Sequence, residues 1–143
     1  MSDPFKLDDF LPYRLSVLAG RLSREYSQVY REKFGIGRAE WRVIAHLSQE
    51  TAVSIREIHQ RVDMDKSKVS RAAARLEEAG IITKRVNTND RRLVELSLTQ
   101  TGQEMMQALE PLAHAFEAEI RDRLGPDADG FLSGVERLLQ HKD

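Results

Sequence analysis

Residues 63–92, DMDKSKVSRAAARLEEAGIITKRVNTNDRR, join a short basic helix, a glycine stop and an arginine-tipped hairpin in one stretch. Val69, Ala72, Ala73 and Leu76 recur at steps of three and four and so share one helical face, while Ser67, Lys68, Arg71, Ala74 and Arg75 lie on or near the other. The spacing predicts a helix over 66–79. Asp65 is placed to cap it, Met64 and Val69 to staple its entry, and Gly80 to end it in a left-handed conformation. Residues 81–86 and 93–98 have strand character, with Val94, Leu96 and Leu98 alternating with Glu95 and Ser97. The polar link 87–92 makes the two strands a hairpin.

Upstream, Ser54-Ile55-Arg56-Glu57 has capping-box spacing: Ser54 accepts from the Glu57 amide while the Glu57 side chain reaches back. A short helix over 55–61 starts there, only a few residues before the basic one. Residues 8–34 read as one long helix lined by Leu11, Leu15, Leu18, Leu22, Tyr26 and Val29, with Pro12 in its first turn. A Phe34-Gly35-Ile36-Gly37 break separates it from a helix over 38–48, whose Trp41, Ile44 and Leu47 face inward. Downstream, Thr99 or Thr101 caps a long helix to about residue 124, striped by Met105, Leu109, Leu112, Phe116 and Ile120 and bent at Pro111. Gly125-Pro126 stops it, and Phe131, Leu132, Val135, Leu138 and Leu139 form the apolar face of a sixth helix.

At 143 residues and 41% hydrophobic content the chain is sized for one compact domain. The absence of cysteine excludes disulfides, thiolate metal sites and thiol redox sensing. The four histidines, His46, His59, His114 and His141, are scattered, with no pair three or four apart. A metal site would need His46 and His114 to converge, so no metal and no cofactor are expected. No nucleophile elbow or phosphate loop orders the serines and aspartates, and the chain is not read as an enzyme. The acidic start, MSDPFKLDDF, lacks a signal-peptide core, and no stretch approaches 18 uninterrupted apolar residues. A cytoplasmic protein without a membrane partner is expected.

The formal charge of −1 looks wrong for a nucleic-acid binder, but its distribution is uneven. Residues 56–92 carry ten Lys/Arg against six Asp/Glu, a net of +4, which leaves −5 elsewhere. A capped helix, tight turn, second helix, glycine stop and Arg-tipped hairpin, in that order around a basic centre, build a winged helix-turn-helix. The fold class is therefore mainly α with a small β-hairpin wing. The outward face of the fourth helix has no carboxylate until Glu78, which suits the major groove, where Arg71 can pair with guanine O6 and N7. The candidate DNA contacts are Ser54, Lys66, Ser67, Lys68, Ser70, Arg71 and Arg75, with Arg91 and Arg92 for the minor groove at the wing. The alternative from another class is a winged-helix protein-interaction module without DNA binding, for which the near-zero overall charge argues.

This order of elements resembles the MarR family of bacterial transcriptional regulators over nearly the whole chain. The stretches that carry the resemblance are Glu40-Trp41-Arg42-Val43-Ile44, Asp65-Lys66-Ser67-Lys68-Val69-Ser70-Arg71, Leu76-Glu77-Glu78-Ala79-Gly80-Ile81-Ile82, Asn89-Asp90-Arg91-Arg92 and Leu98-Thr99-Gln100-Thr101-Gly102. The resemblance implies a single MarR-type domain over 1–143: a winged helix-turn-helix lobe at 38–98, and dimerisation helices at 8–34 and 99–143. It implies a homodimer on double-stranded DNA with a pseudo-palindromic operator, repressing until a small aromatic or organic-acid effector releases it. Asp90 matches the family's wing aspartate and is expected to support the hairpin rather than touch DNA. Tyr13, Arg14, Ser16, Arg42 and His46 lie on elements that would border an effector pocket.

Overall fold

A computed structural model describes residues 3–50, 53–62, 64–86, 88–90 and 94–141. Its elements in order are α1 (Leu11–Phe34), α2 (Arg38–Gln49), β1 (Val53–Ser54), α3 (Ile55–Val62), α4 (Lys66–Glu78), β2 (Ile82–Val86), β3 (Val94–Leu98), α5 (Gln100–Leu124) and α6 (Ala128–Gln140). Single 3-10 turns at Leu7–Asp9 and Gly125–Asp127 precede α1 and α6. The chain divides into two compact units, residues 1–109 and 110–143.

The first helix starts at Leu11, not at residue 8. Pro12 has no amide to give to the Asp8 carbonyl and its ring would collide with it, so a helix through 8–12 is broken. Leu7–Asp9 forms a separate turn, Phe10 is extended (φ −79°, ψ 119°), and Pro12 falls into the first turn of α1.

The core of the first unit lies between α2, α3, α4 and the sheet. Val43, Ile44, Ile58, Val69, Ala72, Ala73, Leu76, Ile82 and Leu96 are buried there. The four inward residues of α4 are all closed off from water, and each of Val69 and Leu76 contributes about 1.5–3 kcal/mol by burial. Beside this core, Trp41 is half-buried, stacked on Tyr30 with ring centroids 5.6 Å apart and edge-on to Tyr26 at 5.3 Å.

At the end of α4 the Ile81 amide donates to the Leu76 carbonyl (2.9 Å) and the Gly80 amide to the Glu77 carbonyl (3.0 Å), with Gly80 at φ +77°. This is a Schellman stop: the left-handed glycine lets the chain reverse, and Ile81 packs back toward Leu76. The strand that follows therefore begins at Ile82.

The sheet has three antiparallel strands in the order β1-β3-β2, with Ile82 opposite Leu98 and Val86 opposite Val94. The hairpin matches the expectation, but β1 is additional: a two-residue strand shows no alternation, and only its pairing with β3, Val53 with Leu96 and Ser54 with Glu95, defines it. Leu93, expected to open the second hairpin strand, lies outside the described residues.

Thr99 ties α5 to the end of α4. Its hydroxyl donates toward the Gly80 carbonyl (2.7 Å) and accepts from the Gly102 amide (3.1 Å), while its own amide donates to the Ile81 carbonyl (3.0 Å). Gly102 is required here for space, since a Cβ would overlap the Ile81 carbonyl oxygen and stand 3.0 Å from Leu98 Cδ2.

In the second unit, α6 buries little. Its only fully buried residue is Ala128, and the apolar face read from its sequence is largely open, with Leu138 and Leu139 59% and 75% exposed. Arg121 pairs with Asp129 (3.3 Å) across the turn between α5 and α6.

Candidate nucleic-acid interface

The helix that would enter a groove is α4, and three contacts set it. Arg42 of α2 donates through Nη1 to the Val62 carbonyl (2.7 Å), fastening the last turn of α3 and placing a cation at that helix's negative end. His59 of α3 contacts the Met64 carbonyl through Nδ1; a carbonyl only accepts, so Nδ1 carries the proton. The Asp65 carbonyl receives the Val69 amide (3.1 Å), which opens α4. Asp65 thus occupies the N-cap position, but its side chain makes no capping bond.

The capping box at α3 also differs in detail. The Glu57 amide donates to Ser54 Oγ (3.2 Å) as the spacing predicts, but the Glu57 carboxylate accepts from the Ser54 hydroxyl (3.2 Å), while Ser54 is also paired in the sheet opposite Glu95. Ser54 is buried and its hydroxyl is committed to Glu57. Ser54, expected among the DNA contacts, thus holds the start of α3 through Glu57 and leaves little of its hydroxyl open to a ligand.

The cations of the basic centre fall into two groups. Arg61 pairs with Glu50 and reaches Glu57 (3.8 Å), Arg75 pairs through Nε with Glu40 (2.8 Å), and Lys84 pairs with Glu77 (3.6 Å). Among the described residues Arg56, Lys66, Lys68, Arg71 and Arg85 are exposed and make no ion pair. Arg75, expected on the DNA face, instead braces α4 against α2: Glu40 also takes the Gly37 amide (3.4 Å) and its side chain is only 15% exposed. Ser67, Lys66, Lys68 and Arg71 remain outward on α4 and Ser70 is half-buried.

Two cations outside the expected set join the free group. Arg56 sits in the first turn of α3 and Arg85 on β2. Sequence periodicity does not single them out, because it marks which face is apolar and not which charge lacks a partner. The expected wing cations Arg91 and Arg92 lie outside the described residues. Asp90 is half-buried and engaged within the protein, in keeping with a supporting role.

The expected effector residues do not converge. Tyr13 and Arg14 line a concavity of about 320 Å³ on α1 together with Asp8, Val17, Leu18 and Arg21. Ser16 is exposed on the same helix without lining it. Arg42 is tied to Val62, and His46 Nε2 lies 3.2 Å from Arg61 Nη1 in the α2–α3 surface network. In that network Glu50 is held below the usual carboxyl range, chiefly by the hydrogen bond from Arg61; desolvation opposes this, and the charges of Arg61 and His46 add to the lowering. Burial raises the phenols of Tyr26 and Tyr30 above their ordinary value, in Tyr30 against the charges of Arg38, Arg31 and Arg42. Among the described residues no group of three or more His, Asp or Glu is arranged to hold a metal, and no helix is long and apolar enough to cross a membrane.

An outward, partly unpaired cationic helix on a two-helix brace beside a three-stranded sheet is the winged helix-turn-helix, and similarity to known proteins agrees. The sequence profile of the MarR family matches residues 34–93. The HTH-type transcriptional repressor MdtR of Bacillus subtilis (strain 168) is 38% identical over 71 residues, 50% of this chain and 46% of that protein. The crystal structure of a MarR/EmrR family transcriptional regulator from Acinetobacter sp. ADP1 superposes with a TM-score of 0.82 at 29% identity, covering 95% of this chain and 96% of that one. The structure of Bordetella bronchiseptica BpsR, described by its mechanism for regulation of DNA binding by 6-hydroxynicotinic acid, shares the fold at a TM-score of 0.83 and 18% identity, over 99% and 100% of the two chains. Residues 34–93 are thus similar to the MarR family, and nearly the whole chain shares the fold of a MarR/EmrR family transcriptional regulator.

Proposed function

We propose that this protein is a cytoplasmic, sequence-specific DNA-binding repressor that acts as a homodimer and is released by a small organic acid. The observation that carries the DNA-binding reading is the cationic face of α4: among the described residues Lys66, Lys68 and Arg71 have no acidic partner. A protein-interaction module gains nothing from leaving these charges uncompensated, whereas phosphates compensate them on binding. Arg71 is the proposed base reader, Lys66 and Lys68 hold phosphates, and Ser67 and Ser70 serve either. Arg91 and Arg92 are proposed for the flanking minor groove.

Dimerisation is proposed through α1, α5 and α6, supported by the exposed apolar side chains of α1 (Leu11, Val17 and Leu18) and of α6 (Phe131, Leu138 and Leu139). A twofold dimer places its recognition helices in successive major grooves, so half-site centres fall roughly 10 bp apart. The effector reading is supported by the α1 concavity with its Tyr13 and Arg14 walls, and by the ligand-controlled DNA binding for which BpsR is described.

The test is a titration of wild type and Arg71→Ala against an operator selected from random duplex and against random duplex itself. Arg71→Ala is expected to cost about 1–3 kcal/mol on the operator and to relax preference at one base pair per half-site. Equal losses on both duplexes would remove the reading role. Aromatic carboxylates added to the same titration are expected to release the operator; tenfold release requires about 1.4 kcal/mol of coupling between the sites. No release across such a panel would count against the organic-acid effector.

A further inference from the structure

A cleft of about 630 Å³ opens between the starts of α3 and α4 and the hairpin, lined by Ser54, Arg56, Lys66, Ser70, Asp90 and Val94 among others. Among the described residues two cations from different helices, Arg56 and Lys66, share its rim, and neither has an acidic partner. Bringing like charges to one concavity is unfavourable unless an anion joins them. The lack of a partner is specific to this end of α3. Glu57, adjacent to Arg56 in sequence, faces the Ser54 hydroxyl and Arg61 instead, and Arg61 at the other end of the helix has both Glu50 and Glu57. Among the described residues the one carboxylate on the cleft wall, Asp90, is already engaged within the protein.

We propose that Arg56, with Lys66 and Ser70, forms a binding site for one phosphodiester of the DNA backbone; the proposal rests on the DNA-binding reading above. A recognition helix in the major groove and a wing over the minor groove are separated by one sugar-phosphate strand, and the cleft lies between those two parts of the protein. The buried Ser54 hydroxyl, fixed by Glu57, sets where α3 begins and so where Arg56 stands. Ser70 offers a hydroxyl with no hydrogen bond among the described residues, and Asp90 keeps the phosphate toward the helices by repulsion. Such a contact fixes register and affinity without carrying sequence information.

The test compares wild type, Arg56→Gln and Arg56→Lys in the salt dependence of binding to the operator and to random duplex. Arg56→Gln is expected to lower the slope of log K against log salt by about 0.9 per site, twice that for a dimer on two half-sites, while the operator-to-random ratio stays unchanged. Arg56→Lys is expected to restore the slope. Because Arg56 has no ion-pair or hydrogen-bond partner among the described residues, the melting temperature of Arg56→Gln should match wild type, which separates this role from a structural one. Wild type lacking salt-dependent binding altogether would sink the DNA reading itself. Wild type that binds while Arg56→Gln keeps the full slope would sink only this site. Loss of preference at a single base pair would make Arg56 a base reader and overturn the assignment. Stabilisation by orthophosphate that requires Arg56, with an unchanged DNA slope, would assign the cleft to a free anion instead.

Discussion

The paired and the free cations of the basic centre differ in what holds them, not in residue type. Arg42, Arg61 and Arg75 all meet groups of α2, α3 or the residue following α2: Arg42 reaches from α2 to the Val62 carbonyl, Arg61 reaches Glu50, and Arg75 reaches Glu40. Arg56, Lys66, Lys68 and Arg71 stand on α3 and α4 as well, yet among the described residues they make no ion pair. One population fixes the direction of α4, and the other is left for an external polyanion. Loss of a paired cation should therefore appear as lost stability, and loss of a free one as lost affinity and salt dependence.

The largest expected effect comes from the joint that holds the end of α4, on which both groups depend. A side chain at Gly102 would drive a methyl group into the Ile81 carbonyl, a backbone atom that cannot turn aside. Gly102→Ala is expected to lose about 1–3 kcal/mol of stability through overpacking, measured by denaturant unfolding. Gly134→Ala, where nothing lies within 4 Å, should be neutral or slightly stabilising because alanine is the better helix former. Equal effects at the two positions would show that the Thr99–Gly102 joint does not constrain the fold.

The apolar spacing made most of this architecture legible. The Val69, Ala72, Ala73 and Leu76 stripe, the Gly80 stop and the two hairpin strands follow from periodicity and local backbone chemistry, and the structure carries all three. The site was only half legible, because a basic residue reads the same whether its partner is a glutamate 35 positions away or a phosphate. Arg75 was therefore expected on DNA and Arg56 was passed over. Ser54 shows a related limit: its box spacing is legible, but the spacing does not tell that capping buries the hydroxyl. β1 was too short for a pattern, and its existence depends on the distant Leu96.

The second prediction targets the brace. If Glu40 and Arg75 couple α2 to α4, a double-mutant cycle of Glu40→Gln and Arg75→Gln should return about 0.5–1 kcal/mol of stability coupling, modest because the Arg75 side chain is 55% exposed. Arg75→Gln should leave the salt slope of DNA binding close to wild type, in contrast with Arg56→Gln. A slope reduced by about one per site with no coupling to Glu40 would return Arg75 to the free population and blur the comparison.

The smallest expected effect lies in the exposed network of Glu50, Arg61 and His46. Glu50 is held below the usual carboxyl range, chiefly by the hydrogen bond from Arg61, so the folded state binds its proton less readily than the unfolded chain does. A depressed carboxyl stabilises above the unfolded value, about pH 4.3, and that contribution fades as pH falls through the folded value. The difference in melting temperature between wild type and Glu50→Gln should thus be present at pH 6, shrink toward pH 3 and diminish in high salt, since both partners are open to water. A difference that grows as pH falls would mean that Glu50 is not a stabilising partner of Arg61. Arg61 would then count with the free cations, and pairing would no longer separate the residues that hold α3 and α4 from those that grip DNA.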